Sequence, residues 1–236
     1  MIYRGVIFDV DGTLVDSNPA HAQSWLQALE EFGQPADPEE IRRAIGMGGD
    51  KLIPAFTPWS AQDAQGKALS ERRGEIFKRR YLPNLNAFQG ARLLLQRLHL
   101  QGLKLAVASS AQEEELNSLL DLVGVRELLE EKTSSKDAQK SKPDPDIVAA
   151  ALERLGLKAE EVIMVGDTPY DLEAARQAGL SGLAVLTGGW SPAELDQADW
   201  IFASVADLLG KMGVATLDEL LGRSSSVLKY RQAGIL

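Results

Sequence analysis

Short, continuously apolar runs recur along the chain at residues 6–8, 105–108, 162–165 and 183–186, with a weaker one at 200–202. Runs that are apolar at every position, rather than at alternate ones, suit strands covered on both faces, as in a parallel sheet. Between them, apolar residues recur at helical spacing. Residues 91–100 set Leu94, Leu95 and Leu98 on one face ahead of Gly102. Residues 145–155 open on Pro145 and end before Gly156, and residues 171–178 end before Gly179. Proline at a helix start and glycine just past its end are the expected punctuation. Strand alternating with helix predicts an α/β fold with a doubly wound parallel sheet.

One stretch breaks the alternation. Residues 18–82 carry helix signals and no convincing strand. Asn18-Pro19 opens a helix bearing Trp25, Leu26 and Leu29 that stops at Gly33; Asp37-Pro38 caps the next; a third pattern covers 61–81. The pattern predicts a core of residues 1–16 and 84–212, a helical cap of residues 17–83 and a tail of residues 213–236. Within the tail, Leu217, Leu220 and Leu221 suggest a short helix, and residues 223–226 read as loop.

Composition narrows the chemistry. The chain has 236 residues, 44% hydrophobic and 25% charged, which is ordinary for a globular protein. Its formal charge of −9 gives no electrostatic case for nucleic acid or an anionic membrane as partner. The absence of cysteine removes disulfides, thiolate nucleophiles and Cys-ligated zinc, and two histidines, His21 and His99, are too few for a multi-His metal site. No apolar run approaches the ~20 residues needed to span a bilayer. The first residues lack a signal-peptide layout, so a cytoplasmic, monomeric protein is expected.

The first apolar run ends in Phe8-Asp9-Val10-Asp11-Gly12-Thr13-Leu14-Val15-Asp16. Sites in open parallel sheets lie beyond the carboxyl ends of the strands, and alternate residues share a face, so Asp9 and Asp11 can point into one site. Three further stretches follow strands in order. Ser109-Ser110 comes after 105–108, Ser141-Lys142-Pro143-Asp144-Pro145 precedes a helix, and Gly166-Asp167-Thr168-Pro169-Tyr170-Asp171 comes after 162–165.

These four segments together resemble the motifs of the haloacid dehalogenase-like phosphohydrolase superfamily, and the resemblance spans about residues 6–209. It implies that Asp9 attacks phosphorus and that Asp11 protonates the leaving oxygen and later activates water. It also implies that Ser109 or Ser110 binds the phosphoryl group and that Lys142 stabilises negative charge. Asp9, Asp167 and the carbonyl of Asp11 would hold Mg²⁺, with Thr13 and Asp171 supporting them. Asp171 equally suits a helix N-terminus as a dipole acid. The hard oxygen donors fit magnesium.

In this superfamily the cap reads the leaving group. Its candidates here are His21, Gly48 and Lys51 within or near the glycine-rich 45–51 stretch and the first cap helix, and Arg73 on the last. The expected activity is Mg²⁺-dependent hydrolysis of a small phosphorylated metabolite of the phosphoglycolate or sugar-phosphate type, through an aspartyl-phosphate. The alternative is a β-phosphoglucomutase-like mutase, which His21 would suit. Gly166 stands where the resembling mutases carry a second acid, and it favours the hydrolase. Asp11 argues against a dehalogenase, which protonates no leaving group.

Overall fold

The computed structural model describes residues 3–223. In chain order the elements are β1 (Gly5–Phe8), α1 (Asn18–Glu31), α2 (Pro38–Ala44), α3 (Gly49–Phe56), α4 (Ala64–Ile76), α5 (Ala91–Leu100) and β2 (Lys104–Ala108). They continue with α6 (Glu113–Val123), β3 (Glu131–Thr133), α7 (Asp146–Leu155), β4 (Val162–Gly166), α8 (Pro169–Gln177), β5 (Ser181–Val185), β6 (Trp200–Phe202), α9 (Val205–Met212) and α10 (Leu217–Arg223). The strands form one six-stranded sheet in the order β3-β2-β1-β4-β5-β6, with every pairing parallel. This is the doubly wound α/β fold that the strand–helix alternation predicts.

Alternation along each strand explains why both faces are covered. Val6 and Phe8 of β1, with Leu105, Val107, Ile163 and Val165, face α5, α6 and α9. Ile7, with Ala106, Ala108 and Met164, faces α7 and α8. Two layers of helix therefore bury a strand that has no polar side, and the run is apolar throughout.

The helices of 18–76 pack around a separate apolar cluster that includes Trp25, Leu29, Ile41, Leu52, Ile53 and Leu69. Pro19 and Pro38 sit in the first turns of α1 and α2, and Asp37 caps α2 through the amides of Glu39 and Glu40. The third helical pattern resolves into α4 followed by a π-turn, Phe77–Tyr81.

Two elements depart from the sequence reading. The sequence predicts three cap helices, yet a fourth, α3, starts at Gly49 within the glycine-rich 45–51 stretch and buries Leu52 and Ile53. β3 has no apolar run to betray it; Glu131-Lys132-Thr133 is an edge strand that pairs only with β2. The predicted helix at 217–221 exists as α10 and is no loose tail, for Leu217 and Leu221 are buried against the α5/α9 face. Residues 224–226 of the expected loop lie outside the described residues.

Candidate active site

The middle of the sheet sets the geometry. β1 lies between β2 and β4, with Phe8 level with Val107 on one side and Val165 on the other. The chain leaves all three strands at the same edge, so Asp9, Ser109 and Asp167 emerge side by side. The Asp9 amide continues the ladder by donating to the Val165 carbonyl at 2.8 Å. The strand order reverses here, which opens a crevice at the carboxyl ends.

Lys142 is the centre of the charge array. It is 1% exposed, and its Nζ donates to Asp9 Oδ1 at 2.5 Å and to Asp171 Oδ1 at 2.7 Å. Burial works against the ammonium, yet the Asp171 and Asp9 charges outweigh it and hold Lys142 protonated above its ordinary value. Asp171 is fully engaged, since its Oδ2 accepts from the amide and hydroxyl of Thr168 in a capping box at the start of α8. Asp171 is therefore at once a helix cap and an ion-pair partner of Lys142.

Asp167 accepts from Thr13 Oγ1 through Oδ1 and from Asn18 Nδ2 through Oδ2, each at 2.8 Å. Backbone crowds it closely. Gly12 has φ +78°, and a Cβ there would lie 2.2 Å from Asp167 Oδ2; a Cβ on Gly188 would lie 2.1 Å from the same oxygen. Thr187 Oγ1 donates to the Gly12 carbonyl and closes this cradle.

Three buried carboxylates, Asp9, Asp167 and Asp171, bring oxygens within 4.8 Å of one another. Among the described residues, Lys142 is the one ammonium in contact with them. Burial, reinforced by Asp171 and Asp11 and only partly offset by Lys142, pushes Asp9 up to about 7. Burial and the Asp9 and Asp171 charges drive Asp167 well above its ordinary value. A further cation would relieve that excess of negative charge. Asn18 Oδ1 is buried without a partner beside Asp167, an acceptor suited to a metal-bound water. The donor set thus fits a hard divalent ion, with Asn18 added to the residues expected from sequence.

Asp11 lives in a different setting. Its Oδ1 accepts from Ser17 Oγ at 2.6 Å and pairs with His21 Nε2 at 2.7 Å. Burial would raise it, but His21, Ser17 and Lys142 prevail and hold it below the usual carboxylate range. His21 in turn stacks on Phe77, ring centroids 4.2 Å apart, and its Nδ1 lies 3.4 Å from the Arg73 guanidinium. Arg73 pairs with Glu115 of α6 at 3.1 Å and lies over the Trp25 ring.

The remaining candidates divide. Ser109 is fully buried and its Oγ accepts from the Ala111 amide. Ser110 and Gly48 line both a small cavity at Asp9 and Asp11 and a larger one beside it. Lys51 lines neither; it is committed to Asp144 across the crevice. Arg72 and Lys78 are surface ion-pair partners of Glu31, Glu75 and Glu114. Trp190 packs edge-on to Tyr170 beneath Arg43. Asn18, Ser17 and Glu115 escaped the sequence reading.

The haloacid dehalogenase-like hydrolase family model matches residues 6–185. Phosphoglycolate phosphatase of Rhodospirillum rubrum is 31% identical over 221 residues, 88% of this chain and 91% of that protein. Phosphoglycolate phosphatase of Yersinia pseudotuberculosis is also 31% identical, over 92% of this chain and 96% of its own. Among solved structures, a hydrolase from Pseudomonas syringae superposes with a TM-score of 0.83 at 29% identity, covering 90% of this chain and 99% of that one. A β-phosphoglucomutase from Clostridium difficile reaches 0.79 at 15% identity, over 95% and 99%, a likeness of fold alone. The chain belongs to the haloacid dehalogenase-like hydrolase family and is a phosphatase of it. No described helix is long and apolar enough to cross a membrane.

Proposed function

We propose that the protein hydrolyses a small phosphomonoester, of the phosphoglycolate or sugar-phosphate type, through an aspartyl-phosphate on Asp9. The observation that carries this reading is the division of labour between two neighbouring aspartates. Asp9 faces Lys142 and the carboxylate cluster, whereas Asp11 faces Ser17 and His21.

Asp9 attacks phosphorus in line, the bond from phosphorus to the ester oxygen breaks, and that oxygen takes a proton from Asp11. His21 Nε2, 2.7 Å from Asp11 Oδ1, orients that carboxyl for the transfer. Water then gives its proton to Asp11 and attacks the phosphorus of the aspartyl-phosphate, which releases phosphate and restores Asp9. Lys142 and the Ser109 hydroxyl meet the phosphoryl oxygens; Ser109 already accepts from Ala111, so its own O–H is the donor. Mg²⁺ held by Asp9, Asp167 and the Asp11 carbonyl would neutralise phosphate charge and favour the ionised Asp9. Thr13 and Asn18 hold Asp167 in place for that ion.

Residues 1–16 and 84–212 serve as the catalytic core, and residues 17–83 as the cap over it. Hydrolysis of p-nitrophenyl phosphate with Mg²⁺, its loss with EDTA, and release of inorganic phosphate test the reading. Conversion of β-glucose 1-phosphate to glucose 6-phosphate with little free phosphate would instead identify a mutase.

A further inference from the structure

We infer that the leaving group is polyhydroxylated and uncharged, and that Glu115 disfavours leaving groups bearing their own carboxylate. The inference rests on the phosphatase reading and makes its substrate class narrower. Glu115 lies in the first turn of α6, is 3% exposed, and lines the small cavity that contains Asp9 and Asp11. Among the described residues the one arginine lining that cavity is Arg73, and its Nη1 is already within 3.1 and 3.3 Å of the two Glu115 oxygens. Lys51, the other cap cation among the leaving-group candidates, is held by Asp144. A carboxylate placed beside the reacting ester would face Glu115 and Asp11 with its cation already taken.

A hydroxyl suits the same surroundings, because it both donates and accepts. It can give a hydrogen bond to a Glu115 oxygen and take one from Arg73 Nε, which is buried with no partner. Space argues the same way. The small cavity shares the walls Gly48, Gly49, Arg73 and Ser110 with a neighbouring cavity of about 420 Å³. That volume lies within the ~300–1,000 Å³ range of small-molecule sites. Neutral amides and hydroxyls, including Gln62, Ser70, Gln112 and Ser135, contribute to its lining. Its charged lining is balanced, Lys67 and Arg73 against Asp50 and Glu71. A two-carbon acid would leave most of this space to water, whereas a chain of hydroxylated carbons would fill it and pair its polar walls.

The experiment measures kcat/KM of the Mg²⁺-loaded full chain for glucitol 6-phosphate and for 2-phosphoglycolate, with p-nitrophenyl phosphate alongside. The wild type is expected to favour the hexitol ester by at least about tenfold, which is ~1.4 kcal/mol. Glu115→Gln should lower that preference at least about tenfold, chiefly by improving phosphoglycolate, because Arg73 is then released to a substrate anion. Ser70→Phe, which narrows the larger cavity and leaves both charges of the Arg73–Glu115 pair in place, should lower the preference by loss of hexitol turnover. Hydrolysis of p-nitrophenyl phosphate together with preference for phosphoglycolate, or with no hexitol turnover, would overturn this inference alone. An unchanged preference in both folded variants would overturn it as well. Failure of the wild type to hydrolyse p-nitrophenyl phosphate would overturn the phosphatase reading and the inference together.

Discussion

Lys142 and Arg73 are both buried cations beside the reaction space, and they are anchored in opposite ways. Lys142 bridges Asp9, just past the end of β1, and Asp171, held by the capping box that opens α8 after the neighbouring β4. Arg73 comes from a helix with its own apolar cluster and meets the core through Glu115. Elsewhere the same boundary is crossed by exposed pairs such as Arg43–Glu194 and Lys78–Glu114. The first arrangement is rigid because the sheet makes it so. The second can open, since breaking it disturbs no strand. Asp9 and Lys142 are thus tied to elements at the carboxyl edge of the sheet, whereas Arg73 belongs to a separable helical layer with its own apolar cluster.

Changes to the rigid half should have the largest effects. Asp9→Asn should lower kcat by at least about 10⁴-fold, as expected when a nucleophile is removed from a cooperating set. Its circular dichroism should match the wild type; phosphate release within about tenfold of wild type would remove Asp9 from that role.

Chelation comes next. EDTA should abolish turnover and Mg²⁺ restore it, and Asp167→Asn should raise the Mg²⁺ concentration needed for half-maximal rate by about 10–100-fold. An unchanged requirement would show that Asp167 holds no metal.

Asp11→Asn should cost alkyl esters about 10²–10⁴-fold, the usual reach of general acid–base catalysis, and p-nitrophenyl phosphate markedly less, because that leaving group departs without a proton. Equal losses on the two substrates would break the contrast between Asp9 and Asp11.

The charge array should also be visible in stability. Asp9 rises from 3.8 to about 7 in the metal-free fold, so the folded chain binds a proton that the unfolded chain has already lost. Stability of the chelated wild type, relative to Asp9→Asn, should therefore fall as pH rises from about 4 through about 7. Mg²⁺ should flatten the trend, and melting temperatures across that window check both halves of the statement. The smallest effect belongs to the separable layer: Arg43→Ala removes an exposed, salt-screened pair and should change kcat/KM by less than about threefold. A larger loss would show that the cap is held as rigidly as the sheet.

The same contrast explains what could be read in advance. Asp9, Asp11 and Asp167 follow short apolar strands and Lys142 opens a stiff proline loop, where a side chain has few places to go. Their convergence follows from the sheet, so motif and position agree. Glu115 offers no such signal. It is one of three successive glutamates opening α6 and reads as a dipole acid until α4 brings Arg73 onto it. Asn18 reads as a helix opener, and only the approach of Asp167 from 149 residues away gives its amide a task. Lys51 shows the converse: it stands in the glycine-rich stretch as a candidate to read the leaving group, and tertiary packing gives it Asp144 instead. β3 was illegible because a polar edge strand borrows its order from β2.

The strand order also fixes a timetable for the nascent chain. β1 is made first, yet its partner β4 starts at Val162, and the anchor of Lys142 is Asp171. At about 5–20 residues per second, roughly 8–30 s of synthesis separate Asp9 from its Asp171 neighbour. For the later part of that interval the α1–α4 segment is already synthesised, while the nucleophile waits without an anchored ammonium. A ribosome-stalled chain ending before β4 should therefore carry a collapsed helical segment and no phosphatase activity, and the enzyme becomes competent only when the second half of its sheet closes around the first strand.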